Sequence, residues 1–492
     1  MSENHEATAL KPRPWARCLE RPAQEFALTP LRVLSGAVPD GLHGTLYRNG
    51  PARLERGGIR VGHWFDGDGA VLAVRFAGGA ASATYRYVQS DGYRHEADAG
   101  RLLYGNYGMT APGPIWNQWR RPLKNAANTS VLALPERLLA LWEGGWPHAL
   151  DLETLETLAQ VDLAGPGGHL GLRDAYSAHP KQDPDSGDIY NFGICIGGRD
   201  ATLRLYRNDR GGRILAQAEH ALTGAPFIHD FVMAGRYLVF LVPPVRIDVL
   251  AVLLGLKSYS QGMRWRPELG TEILVFDRDS LALVARGEAE PWFQWHFGNG
   301  AASGAGDSAE LVLDFVRYAD FSTNQHLREV ASGRTVTPTQ GTLWRLTLDP
   351  RSARVQELAE LSDRSVEFPM VAPDQVGRAW TQTFVAIHRR GTDTTAERYD
   401  ALARFDHARG EVVEANLGDA RYPSEPIIAP DANGKRHWLL SVVYDGNDDA
   451  SEVWVFDAAA MDVSRVCVLA LPGVVPLSFH GCWQPAAGAV SR

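Results

Sequence analysis

Four histidines interrupt runs that are otherwise apolar or aromatic: His179 in Tyr176-Ser177-Ala178-His179-Pro180, His229 in Pro226-Phe227-Ile228-His229-Asp230-Phe231, His296 in Trp292-Phe293-Gln294-Trp295-His296-Phe297, and His480 in Pro476-Leu477-Ser478-Phe479-His480-Gly481. A buried imidazole without a hydrogen-bond partner costs about 1–3 kcal/mol. Neutral imidazole is also the commonest side-chain ligand for a metal, so one shared ion would satisfy all four. The steps between them, 50, 67 and 184 residues, are far too wide for a zinc finger or for two ligands on one helix turn. Any ligand set must come from distant segments. Taken singly, each histidine reads equally well as a core or surface group satisfied by a neighbour.

The elements that would have to bring such segments together are strands. Short runs rich in Val, Ile, Leu, Phe and Trp alternate with turn clusters along nearly the whole chain, and long stretches of helical period are scarce. One unit recurs: an apolar strand, an Asp with turn residues, then a second strand. It appears at Asp151, Asp277, Asp349, Asp406 and Asp457, the last four separated by 72, 57 and 51 residues. A period of this kind containing a hairpin is what a four-stranded propeller blade leaves in sequence, and about seven blades fill the chain. The alternative is a β-sandwich in which the Asp residues mark ordinary hairpins. The histidine steps, about one, one and three blades, favour the propeller, whose blades converge on an axis. The expected organisation is an extended N-terminal arm over residues 1–25, with Pro12, Pro14 and Pro22, and a single propeller over residues 26–492 whose tail frays after Trp483.

Composition narrows the function. With 492 residues, 45% hydrophobic and 22% charged, the chain reads as an ordinary soluble protein. A net charge of −9 and the lack of a Lys/Arg stripe argue against nucleic acid. No basic-then-apolar leader and no run of about 20 apolar residues is present, so a cytoplasmic location is expected. Cys18, Cys195, Cys467 and Cys482 lack Cys-x-x-Cys spacing and read as free thiols. Neither a phosphate loop nor a Gly-x-Ser-x-Gly elbow occurs. Gly298-Asn299-Gly300-Ala301-Ala302-Ser303 lacks the third glycine of a dinucleotide fingerprint. Asp66-Gly67-Asp68-Gly69 lacks EF-hand spacing and reads as a tight hairpin turn.

As a set, Tyr47-Arg48-Asn49-Gly50-Pro51, His63-Trp64-Phe65-Asp66-Gly67-Asp68-Gly69, the four histidine segments and His480-Gly481-Cys482-Trp483 resemble the carotenoid cleavage oxygenases over essentially the full length. That family also holds stilbene-cleaving dioxygenases and a retinoid isomerase. The resemblance implies an all-β, seven-bladed propeller with loops and short helices capping an axial metal site. There, Fe(II) would be held by His179, His229, His296 and His480. Glu143, Glu367 and Glu425 would accept hydrogen bonds from three of those imidazoles, His179 being the one without a carboxylate. Such carboxylates fix the tautomer and raise ligand basicity. Read without the family, the three glutamates could equally be buried salt bridges, and four histidines could hold Zn(II), Cu(II) or Ni(II). By the same resemblance, Thr129 in Asn125-Ala126-Ala127-Asn128-Thr129-Ser130 crowds one open position on the ion and dioxygen takes the other.

The implied reaction places both atoms of O₂ across a carbon–carbon double bond of a carotenoid or apocarotenoid, most plausibly the central 15,15′ bond, giving retinal. Such a substrate is met at a membrane surface. Val245–Lys257 is the most apolar stretch and too short to span; with Val249, Leu250, Leu253 and Leu254 it could dip into one leaflet, or form a buried strand or helix. Tyr104, Tyr107, Ile115, Trp116 and Trp119 could line the tunnel mouth, with Arg120, Arg121 and Lys124 toward anionic head groups. No protein partner is evident. Trp142 stands where stilbene-cleaving members carry a Lys, and no Cys lies between Cys195 and Cys467 for the lipid anchor of the isomerase branch. Stilbene cleavage and a non-catalytic carotenoid-binding propeller are the alternatives.

Overall fold

The computed structural model describes residues 13–304, 309–432, 434, 436–461 and 465–486. Its strands form seven antiparallel sheets of four to six strands, plus two small hairpins, and the architecture is a seven-bladed β-propeller. Strand Thr271–Asp277 shows why its apolar run is unbroken. Ile273 and Val275 pack with Leu311 and Leu313 of one neighbouring sheet, while Leu274 and Phe276 pack with Phe192 and Leu203 of the other. A blade is covered on both faces, so its middle strands carry no polar side.

The recurring Asp residues each occupy the turn between the third and fourth strands of a blade. The Asp carboxylate accepts from backbone N–H groups two or three residues on: Asp151 from Glu153 and Thr154, Asp277 from Asp279 and Ser280, Asp406 from Arg409 and Asp457 from Ala459. This is the local turn that Asp favours. Four residues after the Asp the chain enters the left-handed region at Leu155, Leu281 and Ala353, with φ of 58°, 57° and 53°.

The ring closes by pairing Gly481–Pro485 with Gly44–Arg53. Phe26–Pro30 adds an outer strand to that same sheet, and Arg32–Gly36 adds one to the sheet of Arg465–Ala470.

Two segments differ from expectation. Within the expected extended arm, Pro14–Leu19 is a 3-10 helix with Trp15, Cys18 and Leu19 buried; Trp15 donates to the Ala396 carbonyl at 3.0 Å, and burial of the indole outweighs the extended preference of the prolines. Pro12 and the tail beyond residue 486 lie outside the described residues. Asp66-Gly67-Asp68-Gly69 is not a hairpin: a 3-10 turn over Trp64–Asp66 leads into strand Asp68–Ala77, and both carboxylates are buried in ion pairs or backbone contacts.

Candidate metal centre

Every residue predicted for the metal centre except Glu143 lies on or beside the innermost strand of a blade. Thr129 precedes Ser130–Ala133, His179 precedes Lys181–Gln182, and His229 precedes Val232–Ala234. His296 lies within Phe293–Ser303 and Glu367 within Val366–Met370, while Glu425 follows Arg421–Pro423 and His480 precedes Gly481–Pro485. These strands sit at the sheet edges; Phe293–Ser303 touches both Val232–Ala234 and Val366–Met370, and Gly481–Pro485 touches Ser130–Ala133, which places them around the axis. Glu143 enters from the loop after Leu138–Leu141.

The ligand atoms of the four histidines converge to within 4.8 Å of one another. Nε2 of His229 lies 3.0 Å from Nε2 of His179 and 3.2 Å from Nε2 of His296. On the far side of the rings, Nδ1 of His296 meets Glu367 Oε2 at 2.5 Å, Nδ1 of His480 meets Glu425 Oε1 at 2.8 Å, and Nδ1 of His229 lies against Glu143. A carboxylate requires the proton on Nδ1, which leaves Nε2 with only a lone pair. Lone pairs from several rings then face one another, an arrangement a cation resolves. Separations of 3.0 and 3.2 Å suit nitrogens at right angles around an ion about 2.1 Å away. The donor set thus fits a transition metal; its identity does not follow from four imidazoles.

Burial first, then the neighbouring imidazoles, hold His179 and His480 well below the ordinary histidine range, so both stay in the neutral, ligating form. Burial raises Glu367, but His296, the Phe368 N–H and the Tyr318 hydroxyl outweigh it and keep the carboxyl below its usual value. Glu425 is pushed up to about 7, chiefly by burial, with Arg48 working in the opposite direction.

Several residues that hold this centre carry no pattern that a sequence reading would single out. Arg48, 1% exposed, donates to the carbonyls of Glu425 and Phe479 at 2.8 Å each and to Ser478 Oγ at 3.0 Å. It binds the last glutamate segment to the last histidine segment. Asp230 accepts from Phe297 N at 3.0 Å and pairs with Lys181 at 2.8 Å, joining the segments of His179, His229 and His296. Asn49 donates to Ala127 and Ser130 carbonyls, and Asn128 to those of Phe65 and Gly67. Their only signal was membership in the Tyr47–Pro51, His63–Gly69 and Asn125–Ser130 blocks. Phe368 has φ of 54°, a left-handed conformation that turns its N–H onto Glu367 Oε2 at 2.7 Å and stacks its ring on His296.

His229, His296 and His480 open into a cavity of about 320 Å³ lined mainly by apolar and aromatic side chains, among them Phe65, Phe227, Trp295 and Phe479. Thr129 and Trp142 also line it. Its roof comes from short helices and loops. Asn324 ties them together, accepting from Tyr107 Oη at 2.7 Å and donating to Ser260 Oγ at 2.9 Å.

Val245–Lys257 is neither a single strand nor a single helix: Val245–Ile247 pairs in a small hairpin, then Val249–Leu253 is helical. Leu250, Leu253, Leu254 and Leu256 are exposed, as are Ile115, Trp116 and Trp119. The backbone of Gly255 runs against Ile115 and Gln118, so the two apolar groups are adjacent. Val249 instead packs toward the core. Two assignments change. Lys124 faces no head group: it is buried and paired with Glu96, at 2.6 Å, and Asp68, because an ammonium there neutralises two buried carboxylates. Tyr107 is buried beneath the roof through its bond to Asn324.

The sequence model of the retinal pigment epithelial membrane protein family matches residues 19–485. The chain is 31% identical to the apocarotenoid-15,15′-oxygenase of Synechocystis sp., with 96% of each chain covered. It is 26% identical to resveratrol cleavage oxygenase 1 of Aspergillus fumigatus, covering 94% of this chain and 95% of that one. Among solved structures, the cobalt-substituted Synechocystis apocarotenoid oxygenase superposes with a TM-score of 0.86 at 30% identity, covering 96% of this chain and 98% of that one.

Proposed function

The chain belongs to the retinal pigment epithelial membrane protein family, that of the carotenoid cleavage oxygenases, and from that premise we propose that it is a non-heme Fe(II) dioxygenase that cleaves an apocarotenoid at its central double bond. The observation that carries this reading is the convergence of four imidazole nitrogens, three of them backed by glutamates, on the floor of an aromatic cavity. His179, His229, His296 and His480 would hold the iron. When bound, it would supply the electrons that activate O₂. In the net reaction the double bond and the O–O bond break and each carbon takes one oxygen, so two carbonyl products form and no nicotinamide or flavin is consumed.

The protein's own residues position and exclude. Phe65, Phe227, Trp295 and Phe479 offer ring faces to a flat polyene and keep water from the reacting bond. Glu143, Glu367 and Glu425 hold the Nδ1 protons of His229, His296 and His480, fixing each ring's aim. Thr129 lines the cavity, with its hydroxyl donating to Asn128 Oδ1 at 3.2 Å, and its side chain would narrow the approach to the ion.

The exposed leucines and tryptophans beside one another suit transient insertion into one leaflet, with Arg120 nearby in solution; this is where a membrane-dissolved substrate would transfer. Stilbene cleavage is the second reading, on the likeness to the resveratrol enzyme. Against it, Trp142 stands before Glu143, and no lysine lines the cavity among the described residues. The deciding experiment is mass spectrometry of aldehydes formed from carotenoids, apocarotenals and hydroxystilbenes by Fe(II)-loaded protein. Products from an apocarotenal, lost on chelation, are expected; tightly held zinc with no O₂ consumption would instead indicate a carrier.

A further inference from the structure

One wall of the same cavity is not apolar. Arg398, His326 and His388 line it together with Tyr399 and Ser365. Arg398 is 9% exposed, yet among the described residues no carboxylate lies within ion-pair distance of its guanidinium, although many other arginines along the chain are so paired, Arg345 with Asp314 among them. Its charge is also confined between ring faces, 5.5 Å from the centre of Trp64 and 5.6 Å from that of Tyr399. Burial works against its charge, and Glu367 supplies only a counter-charge beyond ion-pair distance; a buried cation so placed is costly and persists where something else supplies a nearer one.

The geometry shows which edge is free. Arg398 Nη1 donates to His326 Nε2 at 3.0 Å, and His326 Nδ1 donates to the Thr337 carbonyl at 2.9 Å, which fixes His326 as neutral and accepting. His388 is likewise engaged, with Ser365 Oγ at 2.9 Å and the Glu397 carbonyl at 3.2 Å. Nε and Nη2 of Arg398 make no hydrogen bond to any described residue. Those two N–H groups form one side of the guanidinium fork, the side that Arg345 uses to take both oxygens of Asp314, at 2.7 and 2.9 Å. Parallel bonds of that kind select planar carboxylates.

We propose that Arg398 is a specificity-determining residue that receives a carboxylate at the end of the polyene, so that the preferred substrate is an apocarotenoic acid rather than the corresponding alcohol or hydrocarbon. The inference rests on reading the cavity as the polyene site and adds the chemistry of the terminus. His326 and His388 then serve as positioning residues, one holding the guanidinium and the other completing the polar wall.

The test compares three ligands of one chain length, an apocarotenoic acid, the matching aldehyde and the matching alcohol, titrated into anaerobic metal-loaded protein and followed by tryptophan quenching. Wild type should bind the acid on the order of 10- to 100-fold more tightly than the alcohol, the range for hydrogen bonds to a charged group. Arg398→Gln should lose that preference while binding the alcohol as before, and Arg398→Lys should recover only part of it. Equal wild-type affinities for acid and alcohol would overturn the proposal, as would an equal loss for both in Arg398→Gln, the mark of a packing role. Displacement of the acid by hexanoate at comparable concentration would also overturn it, by showing a bare anion pocket. If none of the three polyenes binds, the reading of the cavity itself fails and this proposal falls with it.

Discussion

Replacing Glu367 by Gln removes one charge from behind the metal centre and almost no atoms. Glu367 Oε2 faces His296 Nδ1 at 2.5 Å and the Phe368 N–H at 2.7 Å, while Oε1 accepts from Tyr318 Oη at 2.9 Å. The amide oxygen of Gln can take the place of Oε2 and keep both donors. Its NH₂ then faces Tyr318, which can reverse and accept, turning its own proton toward Tyr399. No hydrogen bond need be lost; each bond to the carboxylate becomes a neutral one. A charge-assisted bond contributes about 1.5–3 kcal/mol and a neutral one about 0.5–1.5, so the loss at His296 is about 1–1.5 kcal/mol, or roughly tenfold in affinity. Damage to such supporting carboxylates commonly weakens metal retention about 10- to 100-fold, and the lower half of that range is expected here. The metal-free protein should melt only slightly lower than wild type: the fold holds the Glu367 carboxyl below its usual value and so favours its charged form, which Gln gives up while keeping the shape and the hydrogen bonds. The assay pairs the rate of metal release to a chelator with the thermal midpoint of the apo protein. Unchanged release, or a collapse of the apo midpoint, would refute the assignment of Glu367 as a support for a ligand.

His296→Ala removes one of the converging nitrogens and orphans Glu367; metal content measured by mass spectrometry and polyene cleavage should both be lost, and normal metal content would exclude His296 as a ligand. Leu250→Ser with Leu253→Ser should reduce flotation with anionic liposomes severalfold while leaving turnover of detergent-dispersed substrate intact; unchanged flotation would remove this face as a membrane contact. Stability should fall on acidification below about pH 6.5. Outside the metal centre, burial depresses His63 to about 3 and His148, His326 and His388 to about 4. Unfolding therefore takes up protons between the two ranges, so stability is present above the unfolded histidine value and drains away toward pH 4. Asp66, raised by burial to about 7, works in the opposite sense. Each net proton is worth about 1.4 kcal/mol per pH unit, and urea midpoints at pH 7.5 and 5 that coincide would contradict this balance.

What could be read in the chain was local. The Asp turns were visible because an Asx-type turn is written in three or four consecutive residues, and their recurrence gave the blade count. The four histidines stood out because polar residues are rare in strands covered on both faces. Less legible were the ions that chose distant partners. Arg48 and Glu425 are 377 residues apart, and nothing near either one announces the other. Lys124 looked like a surface cation because it follows Arg120 and Arg121, yet Asp68 and Glu96 draw it inside. Pro14 and Pro22 suggested an extended arm, but local propensity yielded to the burial of Trp15. Asp66 and Asp68 had turn spacing, and their actual fate was decided by Gly108, Arg56 and Lys124.

The strand that fastens the ring, Gly481–Pro485, begins one residue after His480. Three of the four imidazoles precede that strand in the chain, and until it pairs the fourth is not held among them. Capture of the fourth imidazole and latching of the circle are thus one event, in which the Asn49 N–H meets the His480 carbonyl at 2.9 Å. A metal held by all four imidazoles would then be captured only as the ring closes, and its loss and the parting of the closing strand would be two faces of a single opening.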